Sequence, residues 1–291
     1  MGKDSNTVKQ FEVTLAHKRS ERLDLGQGVF IQPKLDGVRC YTRLQNGKIQ
    51  MFSRTHKEFK NCKHIITELN GFFKQHPNVI LDGELYNHEY RDNFNKIISL
   101  VRKQKPTQMD KFESASKLQY HVYDCFNPEA ASAVSRTRFN FLSECLFSRG
   151  LRSIRPVTTE STWDQTGVDY HEKKFLHDGY EGAMLRANEA YQQKRSHGLQ
   201  KVKNFHDTEF TITGFVEGNG KFKGGLGKFL GNDLEGRKIS VPYQKITIED
   251  RKTLWEDRDY YLGKIATFEY FERTPDGAYR FPQFKALRNY E

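Results

Sequence analysis

The stretch QPKLDGVR (residues 32–39) places an ammonium at Lys34, a carboxylate at Asp36 and a guanidinium at Arg39, just past the apolar run Val29-Phe30-Ile31. Alternation along an extended chain would put Lys34, Asp36 and Val38 on one face, and Gly37 would let a ligand or another chain come near. One reading is an edge strand ending in a charged turn, with Lys34 salt-bridged to Asp36. The other is a lysine held beside a phosphate. Further along, Glu84 and Glu181 each sit next to a glycine inside an apolar run, where a carboxylate needs a cation or a donor to be tolerated. One such glutamate would indicate a core salt bridge; two point to a site. Lys201 and Lys203 alternate with Val202, which would turn both ammoniums to one face.

Singly these signals are weak; their order is not. KLDGVR (34–39) is followed by FSRT (52–55), LDGEL (81–85), HVYD (121–124), EGAMLR (181–186), KVK (201–203) and YRFPQFKALR (279–288). The set resembles the covalent nucleotidyltransferase superfamily of ATP-dependent DNA ligases, RNA ligases and capping enzymes. It is most similar to the compact viral, bacteriophage and bacterial DNA ligases, and it covers nearly the whole chain from Gln32 onward.

The resemblance implies that Lys34 attacks the α-phosphorus of ATP and becomes a lysyl-AMP. Nearby cations, Arg39 with Lys201, Lys203 and a bound Mg²⁺, would lower its pKa. Gly37 would admit the nucleotide beside Asp36. Arg54 would grip a phosphate with its fork. Glu181 would serve the catalytic metal, and Glu84 the ribose hydroxyl or a second metal contact. The Tyr123 ring would stack on adenine, although a core aromatic is nearly as good a reading of that residue alone. Gln32 would place its amide on the adenine edge. Lys201 and Lys203 would contact the α-phosphate. Arg280 and Arg288 would close over the site with the C-terminal domain during lysine adenylation. The implied cofactors are ATP and Mg²⁺, with Mn²⁺ able to substitute, and the implied partner is nicked duplex DNA bound by a monomer. Only 33 residues precede Lys34 and no four-cysteine zinc module follows, so ATP is expected rather than NAD. An RNA ligase, a capping guanylyltransferase and a non-catalytic single-strand-binding protein are the alternatives. The last leaves the lysines and glutamates unexplained.

These residues need elements to hold them. Residues 29–54 read as two strands joined at Asn46-Gly47, a pair that accepts positive φ cheaply. Phe59, Cys62, Ile65, Ile66, Leu69, Phe72 and Phe73 recur at helical spacing up to Pro77. NVILDGELYNH, LQYHVYDCF and DGYEGAMLRA read as strands, and SRTRFNFLSECLFSRG as a helix closed by Gly150. Beyond residue 207, several strands with one helix suggest a small barrel. The expected fold is α+β: a nucleotidyltransferase domain (ATP-grasp-like, antiparallel sheets with flanking helices) over residues 1–206, then an all-β OB-fold barrel over 207–291, the boundary falling at 204–208. In the barrel, residues 217–229 hold five glycines among Lys221, Lys223 and Lys228. This is either a backbone suited to approach DNA phosphates or a flexible hairpin, and it is not a Walker loop.

The composition agrees. The 291 residues carry 47 Lys and Arg against 37 Asp and Glu, a net +10 that favours a polyanionic partner. The four cysteines lack any C-x-x-C spacing, so reduced thiols are expected rather than zinc. No stretch has the length and apolarity of a signal or membrane segment. An intracellular protein, of cytoplasm or nucleoid, is therefore expected.

Overall fold

The structure, a computed structural model, describes residues 10–91, 93–203, 206–244, 246–271, 273, 274 and 276–288. Its contacts divide the chain between Val202 and Lys203 into two units. Residues 204 and 205, in the expected boundary, lie outside the described residues.

The first unit runs β1 (Leu15–Lys18), β2 (Val29–Pro33), β3 (Val38–Gln45), β4 (Lys48–Ser53), α1 (Lys63–Gln75), β5 (Ile80–Tyr86), α2 (Phe94–Val101), α3 (Gln108–Lys117), β6 (Gln119–Phe126), α4 (Ser135–Cys145), β7 (Ile154–Pro156), β8 (Glu160–Thr162), α5 (Gln165–His177), β9 (Ala183–Ala187) and β10 (Arg195–Val202). Two five-stranded sheets result, in the orders β1-β10-β9-β2-β8 and β4-β3-β5-β6-β7. They are mixed rather than wholly antiparallel: β1 joins β10, and β7 joins β6, as parallel edge strands. Ile65, Leu69, Phe72 and Phe73 of α1 pack on Cys40, Leu81 and Tyr120 in the core under the second sheet. Phe59 and Cys62 are buried there too but precede the helix. Val168 and Phe175 of α5 cover Ile31 and Leu185 of the first sheet.

The β3–β4 hairpin turns through Asn46 and Gly47 at φ 51° and 70°, the mirror-image geometry that matches strand twist. Residues 29–54, however, form three strands rather than two, in different sheets. The chain leaves β2 at Pro33, crosses at 34–37 and enters the second sheet as β3. Lys34, Asp36 and Val38 therefore do not share a strand face. Across the gap, the Lys34 N–H donates to the Gly182 carbonyl (2.9 Å) and the Glu181 N–H to the Lys34 carbonyl (3.1 Å).

The second unit runs β11 (His206–Glu217), β12 (Leu226–Asp233), β13 (Lys238–Pro242), α6 (Ile248–Glu256), α7 (Arg258–Tyr261), β14 (Ile265–Tyr270) and β15 (Gln283–Leu287). Its antiparallel sheet has the order β13-β12-β11-β14-β15 around Phe210, Phe229 and Phe268. Among the described residues no ladder joins β13 to β15, so the expected barrel is open there; α6 is the one helix expected among these strands, and α7 adds a short second one. The glycine-rich loop is folded compactly: Gly218 N–H donates to the Gly225 carbonyl (2.8 Å), and the Arg251 guanidinium lies 4.7 Å from the Phe222 ring centre. All four cysteines are free thiols. Among the described residues no helix is long and apolar enough to cross a membrane.

Candidate active site

The crossing at 34–37 sets Lys34 where the two sheets of the first unit face one another. A cavity of about 250 Å³ opens there. Gln32, Lys34, Met184, Leu199 and Lys201 line it from the first sheet and its crossing, and Arg39, Arg54, Glu84 and Tyr123 from the second. A larger cavity of about 400 Å³ adjoins it through Gln32 and Tyr123 but holds no nucleophilic amine.

Lys34 Nζ is ion-paired with Glu181 Oε2, on a carboxylate side chain that is 5% exposed. This ion pair spans 147 positions along the chain, where the local reading looks only to Asp36. Glu84 faces the same space from β5. Burial raises its carboxyl to about 7, against the pull of Arg39 and Lys34, and the Tyr123 hydroxyl donates to it at 3.4 Å. Partial burial, then the charge of Lys34, holds the Lys201 ammonium below its ordinary pKa. The cavity wall thus presents the Lys34 amine, the Lys201 ammonium and the Glu84 carboxylate, with Glu181 behind Lys34 as its ion partner, a set able to neutralise and orient a phosphoanhydride.

Gln32 is buried, its amide donating to Thr159 Oγ1 (2.8 Å) and the Tyr123 carbonyl (3.4 Å). Arg54 is exposed at the rim. Arg39 plays a more structural part than expected. Its Nε and Nη2 fork onto Asp82 at 2.7 and 2.6 Å, Nη2 also reaches the Thr14 carbonyl, and the guanidinium stands 5.1 Å from the Tyr123 ring centre. Gly37 meets protein rather than open space. A Cβ there would stand 2.6 Å from the Leu85 carbonyl oxygen and 2.7 Å from Glu84 Cγ. Gly37→Ala is therefore expected to cost about 1–3 kcal/mol through overpacking. It would appear as a fall of several degrees in Tm, and an unchanged Tm would show that β5 yields freely.

Lys203 is not the strand neighbour of Lys201 that alternation implied. β10 ends at Val202, and Lys203 belongs to the second unit, its ammonium 4.4 Å from the Phe271 ring centre. In that unit the Arg280 guanidinium is 5.5 Å from the Phe281 ring centre, and Arg288 pairs with Glu209 at 2.8 Å. Sequence reasoning missed the buried struts. Asp82 accepts from Tyr191 (2.6 Å) as well as from Arg39. Asp124 takes Arg138 and Arg186, each at 2.7 Å. The available signal was an aspartate inside each of two apolar strands, since a buried carboxylate demands a buried cation.

Residues 9–203 match the family described as the ATP dependent DNA ligase domain, and residues 217–288 the DNA ligase OB-like domain. The chain belongs to the ATP-dependent DNA ligase family. A DNA ligase of African swine fever virus (isolate Pig/Kenya/KEN-50/1950) is 29% identical over 265 residues, 84% of this chain and 59% of the viral protein. A Haemophilus influenzae DNA ligase is 25% identical over 260 residues, 89% of this chain and 86% of its own length. The chain thus spans about six-tenths of the viral ligases it matches. Among solved structures, one from a study of Lig E DNA ligases aligns with TM-score 0.77 at 22% identity, over 95% of this chain and 99% of that one. The ATP-dependent ligase of bacteriophage T7, in complex with ATP, aligns with TM-score 0.56 at 19% identity, over 95% and 98%. Both likenesses are of fold.

Proposed function

We propose that the chain is an ATP-dependent DNA ligase that seals 5′-phosphate/3′-hydroxyl nicks in duplex DNA through a lysyl-AMP on Lys34 and a DNA-adenylate. The observation that carries this reading is an amine, Lys34, facing a cavity between two sheets and flanked by Glu181, Glu84 and Lys201 in a chain of this family.

Each step is an in-line displacement at phosphorus, so positioning and charge neutralisation supply most of the catalysis. The Tyr123 face and the Gln32 amide orient the base. Lys201 takes the α-phosphate, Arg54 a phosphate at the rim, and Glu84 the ribose hydroxyl. Asp36 and Gly37 shape the crossing that carries the nucleophile, while Arg39 holds β3 to Asp82 beneath it. The attacking amine must be neutral; Lys201 favours that state and Glu181 opposes it, so Glu181 changes partner when the triphosphate is in place. Lys203, Arg280 and Arg288, carried by the second unit, complete the phosphate contacts. Among the described residues no group of three or more His, Cys, Asp or Glu forms a metal cage. Two carboxylates nevertheless suit Mg²⁺, which binds through one or two of them together with substrate phosphates and water. Glu181, with Glu84, would hold it, and it would supply charge neutralisation at the phosphates; Mn²⁺ would fit the same ligands.

The test is sealing of a labelled nicked duplex. Product should require ATP, a divalent cation and the 5′-phosphate. Because a +10 chain meets DNA largely through phosphates, nick affinity measured by anisotropy should fall at least several-fold between low and physiological salt. Sealing that needs no ATP, or an affinity flat in salt, would contradict the proposal.

A further inference from the structure

Outside the cavity, between the edge strand β1 and its neighbour β10, two histidine rings stack face to face. His17 and His197 have centroids 3.7 Å apart and planes within 8°. A bulge makes this possible: Ala16 pairs with Ser196 but His17 with Gln200, so residues 197–199 of β10 loop out opposite a single step of β1. Arg22 Nη1 lies 2.9 Å from His197 Nε2. A guanidinium only donates, so Nε2 accepts in this contact and the other ring nitrogen, Nδ1, is the one left to donate. That Nδ1 is buried and finds no acceptor among the described residues. His17 is therefore the ring of the pair that is free to take up a proton.

The charged groups facing His17 are cations: Arg195 from β10, which also donates to the Ala16 carbonyl, and Arg22 from the turn after β1. Lys18 pairs with Lys201 at the next register step. The carboxylate of the β9–β10 connection, Glu189, accepts from Ser196 Oγ (3.1 Å) and packs on Gly198. Partial burial, then His197, Arg195 and Arg22, lower the pKa of His17 below its ordinary value. None of His17, Arg22, Arg195 and His197 lines the nucleotide cavity, although their strand neighbours Ala16 and Lys201 do.

We propose that His17, stacked on His197 between Arg22 and Arg195, is a proton-linked site for a backbone phosphate of the nicked duplex, beside the cavity that holds Lys34. This rests on the ligase reading. Without an anion a third positive charge in the cluster is unfavourable and His17 stays neutral; an arriving phosphodiester supplies the compensating charge, and His17 takes a proton from solvent. A histidine whose pKa is higher in the complex than in the free protein strengthens binding at pH below its free value, and that gain disappears as pH rises through the value in the complex.

The experiment is a titration of the full chain with a non-ligatable nicked duplex, 3′-dideoxy terminated, at constant ionic strength from pH 8 to pH 6. Affinity should rise as pH falls, by no more than about tenfold per unit for one proton. His17→Gln should flatten the slope. Calorimetry of the unaltered protein near pH 7, in two buffers of different ionisation enthalpy, should register net proton uptake on binding, a readout that needs no variant. A slope retained in His17→Gln, or binding without uptake, overturns the histidine site and leaves the ligase reading standing. No nick binding at any pH, together with no self-adenylation by ATP, overturns both.

Discussion

Lys34→Ala should lose covalent labelling by α-labelled ATP and Mg²⁺ altogether, a fall of at least about a thousandfold, as expected when the nucleophile itself is removed. The unaltered protein should carry AMP through an acid-labile phosphoramide bond that survives a denaturing gel. Lys34 is the amine that the 34–37 crossing delivers to the cavity, and Glu181 and Glu84 both act on its charge. Because the alanine variant takes the Lys34 ammonium away from the buried Glu181 carboxylate, a fold control is needed. Lys34→Arg provides one: a guanidinium keeps the ion pair with Glu181 but stays protonated at any accessible pH and cannot attack. It should fold with a near-normal Tm and still take no label. A Lys34→Ala or Lys34→Arg protein that labels fully would place the nucleophile elsewhere.

Asp124→Asn should be the most damaging change away from the nucleophile. The Asp124 side chain is wholly buried on β6, and its two oxygens hold Arg138 of α4 and Arg186 of β9, themselves only 6% and 7% exposed. One carboxylate thus ties a strand of the second sheet to a helix and to a strand of the first, next to Tyr123 at the cavity wall. Arg138 keeps other partners, the Ala133 and Glu189 carbonyls, but these are neutral. The amide preserves volume and removes the charge, leaving two buried guanidiniums uncompensated. Breaking a buried pair in this way costs about 3–5 kcal/mol. In a unit of this size that lowers Tm by on the order of 10 °C, measurable by calorimetry or circular dichroism. A change below about 2 °C, well inside the effect of a surface substitution, would mean that water already screens the cluster.

What the sequence by itself determined is the chemistry and the local elements. The order of KLDGVR, LDGEL, HVYD and EGAMLR singles out Lys34, Glu84 and Tyr123, which line one cavity, and Glu181, which pairs with Lys34. Helical spacing from Ile65 to Phe73 produces α1, and Asn46-Gly47 produces its hairpin, because both signals arise from residues a few positions apart. What only the tertiary structure decided is the partner of each strand and each buried charge. Alternation tells which face of a strand is apolar but not which sheet it joins, so β2 and β3 read as one strand although they lie in different sheets. The fork of Arg39 on Asp82 spans 43 positions, and Asp124 reaches 62 positions to Arg186. Both involve residue types that look solvent-bound when read alone. Lys203, two residues beyond Lys201, answers to a different core. Such choices are made by desolvation: a carboxylate leaves water only where the fold has already brought a cation to meet it, and that meeting has no signature within any short window of the chain.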